Sequence, residues 1–169
     1  MTQLATITQR STLLFVRHLP GPIDRVWAYL TDPKQLVKWF SDGVVAERLG
    51  GEVRFEMGAT GQITACEPPH VLEYTWNEED ASVGAVTDSL VRWELSEEGA
   101  GVRLTLTHSR LPENEMLAHG AGWHAFLQRL SACADGRAPE SVADLFAHYK
   151  TEYAELVRAA GIGTDTHVS

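Results

Sequence analysis

A change of period constrains this chain more than any other feature. Between Val44 and Ser109, apolar residues recur at every second position in short runs broken by Gly, Pro and acidic turns. Between Glu113 and Ala134 they recur every third or fourth position instead. Short strands joined by short turns form an antiparallel sheet, and a helix of about 22 residues is long enough to cross one. The pattern predicts an α+β domain in which a curved sheet wraps that helix, with an apolar pocket between the two.

The individual elements read as follows. Thr12 to Leu19 is the first strand, with Leu13, Phe15, Arg17 and Leu19 on one face. Pro20, Gly21 and Pro22 stop it. Ile23, Val26, Trp27 and Leu30 then step at helical spacing, and a second short helix, Pro33 to Lys38, leads to Trp39 and Phe40. Strands follow over Val44 to Arg48, Glu52 to Met57, Gln62 to Glu67, Val71 to Asn77, Val86 to Leu95 and Val102 to Ser109. Gly50 and Gly51 make a hairpin turn, and Glu78 to Gly84 is an acidic loop. On the long helix, Met116, Gly120, Trp123, Leu127, Leu130 and Ala134 form one stripe, widened by Phe126 and Cys133. After the linker Arg137 to Pro139, residues Ser141 to Ala160 form a further amphipathic helix. Ser141 caps it, and its seam includes Leu145, Phe146, Tyr149 and Tyr153. The expected organisation is a flexible N-terminus (1–11), a core domain (12–136), the additional helix (137–160), packed on the domain or in a dimer, and a frayed tail (161–169).

Charge and composition narrow the function classes. The 169 residues carry a formal charge of −9, and no Lys/Arg cluster offers a phosphate backbone a landing place. No nucleic-acid partner is expected. No apolar run approaches the roughly 18–20 residues of a membrane span, and the first eleven residues lack the order of a signal peptide. Cys66 and Cys133, the only two cysteines, read as free, buried thiols of a cytoplasmic protein. No metal cluster, phosphate loop, nucleophile elbow or cofactor motif is present: His119 and His124 are five apart on a helix, not the four of a helical zinc pair.

Several stretches in order resemble a known family. They are Arg17-His18-Leu19-Pro20-Gly21-Pro22, Val26-Trp27, Leu30-Thr31-Asp32-Pro33 and Trp39-Phe40. Farther on come Glu67-Pro68-Pro69, Leu72-Glu73-Tyr74-Thr75-Trp76 and Val91-Arg92-Trp93-Glu94-Leu95. The last are Arg103-Leu104-Thr105-Leu106-Thr107-His108 and Gly122-Trp123. Over residues 12 to 136 the chain resembles the helix-grip superfamily (SRPBCC) of START lipid-transfer domains, Bet v 1-like proteins and polyketide cyclases. Within it, the chain is similar to the bacterial family related to the C-terminal domain of the activator of Hsp90 ATPase. The resemblance implies a sheet of about six to seven strands around the long helix. It implies a cavity for a small hydrophobic ligand and brings no shared catalytic motif with it. The eukaryotic co-chaperone has a separate N-terminal domain where this chain has about eleven residues before its first strand.

Ten residues are candidates for the pocket: Arg17, Trp39, Phe40, Phe55, Tyr74, Trp76, Trp93, His108, Trp123 and Leu127. The aromatic set either lines a cavity or fills the core. His108 continues the apolar face of Leu104 and Leu106. It either bonds a ligand or acts as a base, or else is satisfied by backbone or water. Arg17 either binds a ligand carboxylate or pairs with an acid such as Glu73. Three functions follow: binding of a lipid, polyketide-like or aromatic metabolite; a cyclase, dehydratase or hydrolase using the same cavity; or a chaperone-related interaction. The subunit state is open between monomer and homodimer.

Overall fold

A computed structural model of the chain describes residues 2–9, 11–82 and 84–162. Its described residues form one eight-stranded antiparallel sheet in the order β1-β2-β8-β7-β6-β5-β4-β3. The strands are β1 (Thr6–Gln9), β2 (Thr12–Pro20), β3 (Gly43–Val45), β4 (Glu52–Phe55), β5 (Thr60–Glu67), β6 (Val71–Glu78), β7 (Val86–Glu98) and β8 (Gly101–Ser109). Helices α1 (Ile23–Thr31) and α2 (Pro33–Trp39) separate β2 from β3. The long helix α3 (Met116–Ala134) and the last helix α4 (Val142–Ala159) follow the sheet. The expected α+β architecture is present, with a sheet that does not close and a long helix against it.

Alternation explains which face each strand buries. Leu13, Phe15, Arg17 and Leu19 on β2 point inward, as do Leu72, Tyr74 and Trp76 on β6. Val91, Trp93 and Leu95 on β7, and Val102, Leu104, Leu106 and His108 on β8, complete the inner wall. The register Leu13–His108–Val91 runs straight across β2, β8 and β7, so these residues lie in one row. Asp32 serves both short helices: it follows the last residue of α1, and its carboxylate accepts the Lys34 N–H at the start of α2.

Several boundaries differ from the sequence reading, among them β3, which ends at Val45 rather than Arg48, and β7, which runs on to Glu98. The sheet begins at Thr6 rather than Thr12, because β1 hydrogen-bonds along β2 (Thr6 opposite Leu14, Ile7 opposite Leu13). Strand β4 ends at Phe55, not Met57. The Phe55 N–H donates to the Ala59 carbonyl, and Gly58, at φ +116°, donates to the Phe55 carbonyl. The turn leaves Met57 exposed at one end of the sheet. The predicted frayed tail begins too early at Gly161, since Ile162 is buried; residues 163–169 lie outside the described residues. Cys66 and Cys133 are free, as expected, but half-exposed rather than buried.

Helix α3 is apolar on nearly every side because two layers cover it. Trp123, Leu127 and Leu130 face inward, whereas His124 meets α4. The last helix packs along α3 and reaches past it to the sheet edge. There the Tyr153 hydroxyl accepts the Ala5 N–H at 3.0 Å, and its ring lies 6.4 Å from Phe15. Gly120 makes this approach possible: a Cβ there would sit 2.5 Å from the Tyr153 ring. Ser141 caps α4 by accepting the Asp144 N–H.

Candidate functional site

A cavity of about 750 Å³ opens where one end of the sheet meets the start of α3. Its floor and walls are aromatic: Trp76 from β6, Trp123 and Phe126 from α3, Phe40 from the end of α2, and Phe146 from α4. Phe40 and Trp123 stack 5.5 Å apart at 11°, and Trp76 leans on Trp123 at 5.3 Å. The opposite side is polar. Glu78, Glu79, Asp80 and Ser82 come from the end of β6 and the acidic loop, while Glu115 and His119 come from the start of α3. Met57, Gly58 and Thr60 close the remaining edge.

The polar side has one organised cluster. His119 Nε2 lies 3.1 Å from Glu78 Oε2, and Nδ1 lies 3.1 Å from the Glu115 carbonyl and 3.2 Å from Glu115 Oε2. Ser82 donates its hydroxyl proton to the same Glu115 oxygen at 2.9 Å. Burial works against a charge on His119, but the bonds to Glu115 and Glu78 outweigh it and hold the imidazolium to about pH 9. At neutral pH the cavity wall therefore carries one imidazolium gripped by two carboxylates.

A pH dependence of stability follows. An imidazole in the unfolded chain titrates near ~6.5. The contribution of His119 is fully present below that value and is lost as the pH rises through about 9. A shift of this size amounts to about 3 kcal/mol. Urea unfolding of the parent protein and of His119→Gln at pH 6.5 and pH 9.5 checks it. The parent is expected to lose more stability than the variant by roughly that amount; parallel losses would refute the assignment. Two buried histidines act in the opposite sense. His124, lowered to about 4 by burial and then by the Arg17 and His148 charges, and His108, lowered by burial and by His119, stabilise above pH 6.5. Those contributions are lost as the pH falls.

Three of the ten residues chosen from the sequence line this cavity: Phe40, Trp76 and Trp123. Trp39, Phe55, Tyr74, Trp93 and Leu127 are core side chains behind it. Trp93 donates its indole N–H to Tyr74, and Trp39 donates to the Tyr29 carbonyl, so both are spent inside the protein. His108 is a buried histidine behind the cavity, with both ring nitrogens bonded inside the protein. Its Nδ1 accepts the Trp123 indole proton at 2.9 Å, which leaves the ring proton on Nε2, 2.9 Å from Ser89 Oγ; Ser89 in turn donates to the Trp76 carbonyl. Its role is to fix the two tryptophans of the cavity wall. Arg17 is not at the cavity, and it does not pair with Glu73. Glu73 points from the outer face of β6 to Arg92 at 3.0 Å and to Thr64. The Glu78–Glu115–His119 cluster escaped the sequence reading. The i, i+4 pair Glu115/His119 at the start of α3 was the legible half of its signal.

Among the described residues, no group of three or more His, Cys, Asp or Glu side chains is placed to hold a metal ion. No helix among them is long and apolar enough to cross a membrane.

Residues 20–135 match the family described as activator of Hsp90 ATPase homolog 1-like protein. The chain belongs to this family. Its AHSA1-like fold is shared with solved structures. A protein encoded by gene BPP1335 of Bordetella parapertussis is 32% identical, with a TM-score of 0.75 over 92% of this chain and 90% of that one. CalU16 from Micromonospora echinospora is 30% identical, with a TM-score of 0.73 over 86% and 88%. The Aha1 dimer from Colwellia psychrerythraea, 19% identical with a TM-score of 0.61 over 73% and 95%, shares the fold alone. No curated protein matches the chain. The AHSA1 match ends at Asp135, so α4, which supplies Phe146 to the cavity, lies beyond the part of the chain that defines the family.

Proposed function

We propose that this AHSA1-family protein binds a small, largely apolar molecule, of lipid, polyketide-like or aromatic-metabolite type, in the cavity over Trp76 and Trp123. The observation that carries the reading is the cavity itself: about 750 Å³, walled by five aromatic rings. That volume lies within the usual range for small-molecule sites, ~300–1,000 Å³. The Trp76 indole N–H adds to it: it is buried, with no partner among the described residues, and an acceptor atom on the ligand would relieve it.

Charge selects the polar end of that molecule. Four carboxylates and one imidazolium face the cavity, with no Lys or Arg on its lining. A ligand carboxylate is repelled; a neutral donor or an amine is favoured, with the aromatic faces adding to its attraction. Three polarity-sensitive dyes test this: neutral Nile red, cationic acridine orange and anionic anilinonaphthalene sulfonate. Fluorescence titration is expected to rank the anionic dye weakest by about tenfold, a gap of ~1.4 kcal/mol. Glu78→Gln is expected to narrow that gap. Absence of binding by all three dyes, together with no co-purified molecule in native mass spectrometry, would overturn the proposal.

A second reading has one observation behind it. An imidazolium and two carboxylates converge on the cavity, and such a set can move a proton to and from a bound molecule, as in a cyclisation or dehydration. His119 would be the acid of such a step. His119→Gln separates the two readings: it would abolish turnover of a substrate while leaving the affinity for neutral Nile red within about twofold.

A further inference from the structure

A second polar centre lies on the far side of α3 from the cavity, and it has too many donors. Arg17 points inward from β2 and is 6% exposed. Only its Nη1 has a partner, the Val16 carbonyl at 2.8 Å; Nε and Nη2 are buried with none. Its guanidinium stands 5.7 Å from the centre of the Phe15 ring, and that ring faces Tyr153. His124 on α3 is fully buried against the same Tyr153, close enough to feel the Arg17 charge, and its Nε2 also has no partner.

We assign the protons at this centre from the hydrogen bonds, with the Tyr153 hydroxyl, which has no other acceptor among the described residues, as the donor to His124. The Tyr153 hydroxyl accepts the Ala5 N–H, and its own proton goes to His124 Nδ1 at 3.0 Å. The ring proton of His124 is then on Nε2. Arg17 Nε, Arg17 Nη2 and His124 Nε2 are thus all N–H donors without acceptors. The nearby Tyr149 hydroxyl is committed to Gln128. Among the described residues no carboxylate reaches ion-pair distance of Arg17, and the Tyr153 phenol beside it is held neutral by burial. A buried guanidinium without a counter-charge is strongly disfavoured.

We propose that Arg17 and His124 form, between β2, α3 and α4, a buried site for one small monovalent anion, a halide or a short carboxylate such as formate. The anion accepts the three idle N–H groups and neutralises the guanidinium. Because its donors come from the sheet and α3, beneath Tyr149 and Tyr153 of α4, it ties the last helix to the domain. This site is separate from the aromatic cavity and does not depend on what that cavity holds.

Thermal unfolding of the full chain in sodium gluconate, whose anion is too large for the site, provides the baseline. Chloride, bromide or formate is then titrated in at constant ionic strength. The expected result is a saturable rise in Tm of about 2–4 °C for the parent protein. Arg17→Met is expected to show no saturable rise, whatever its own Tm. His124→Phe, which keeps the charge but removes one donor, should weaken the response several-fold. Comparing the halide and formate arms decides which anion fits. Bromide-soaked crystals should show an anomalous peak between Arg17 and His124. No saturable response in the parent protein, or bromide only at the surface (an adventitious ion only), would overturn the proposal.

Discussion

Gly122→Phe is expected to lower the affinity for Nile red at least tenfold while leaving the protein folded, with Tm unchanged or higher. Gly122 sits on α3 and lines the cavity, and a Cβ built there meets nothing within 4 Å. A larger side chain therefore projects into the space a ligand would use, not into neighbouring atoms. The backbone gains as well, since replacing a mid-helix glycine recovers about 0.5–1 kcal/mol of helix propensity. Gly122→Ala isolates that gain: it should raise Tm and reduce affinity only slightly. Two measurements decide the matter, a fluorescence titration and a thermal melt. A folded Gly122→Phe variant that binds the dye as well as its parent would place the ligand elsewhere.

Gly120→Val is expected to act in the opposite way, two residues earlier on the same helix. Its Cβ would lie 2.5 Å, 2.8 Å and 3.3 Å from three carbons of the Tyr153 ring. That ring is fully buried and cannot swing into solvent without losing two hydrogen bonds, to Ala5 and His124. Overpacking of this kind costs about 1–3 kcal/mol, and the bonds lost with Tyr153 add roughly 1 kcal/mol each. We expect a loss of about 3 kcal/mol in urea unfolding. Faster amide exchange should be confined to α4 and β1, with Nile red affinity reduced only through Phe146. Uniform exchange across the sheet would mean that α4 is not a separable layer. Together the two variants divide α3 into a face that can be filled and a face that cannot.

The sequence made the inner wall legible because parity needs no tertiary information. Leu104, Leu106 and His108 alternate with polar residues. Leu13, Phe15, Arg17 and Leu19 share a face by parity, although Leu14 and Val16 make the other face apolar too. All of the named set point inward. Parity does not say what lies above an inward side chain. Trp93 and Trp76 belong to the same face of neighbouring strands, yet Trp93 is packed under Trp39 and Trp123 while Trp76 opens on the cavity. Depth along the strand decides between them, and depth is set by where α3 begins.

The same limit hid His119. Its partner Glu115 is one helical turn away in sequence, but Glu78 reaches it from β6, 41 residues earlier. Strand β1 was missed for a different reason. Its residues, Thr-Ile-Thr-Gln, carry one apolar side chain, too few for a period, and its place is decided by pairing with β2. Arg17 was read as a pocket residue because it shares a face with Phe15. The face was right, but four residues along β2 separate it from the row of His108.

The strand order has a consequence for how the chain assembles in time. Strand β2 has two neighbours, β1 before it and β8 after it, and Leu13 is paired with His108. Strand β2 thus waits for about 90 further residues before its inner edge is covered, and such distant pairings slow folding. The hairpins β5–β6 and β7–β8 are local and can form as they emerge. Closure of β2 onto β8 is then the late event that completes the sheet, and α3 follows β8 directly to cover it. A nascent chain stalled before Gly101 would present the open apolar edge of β2, and that interval is when this protein most needs protection from its neighbours.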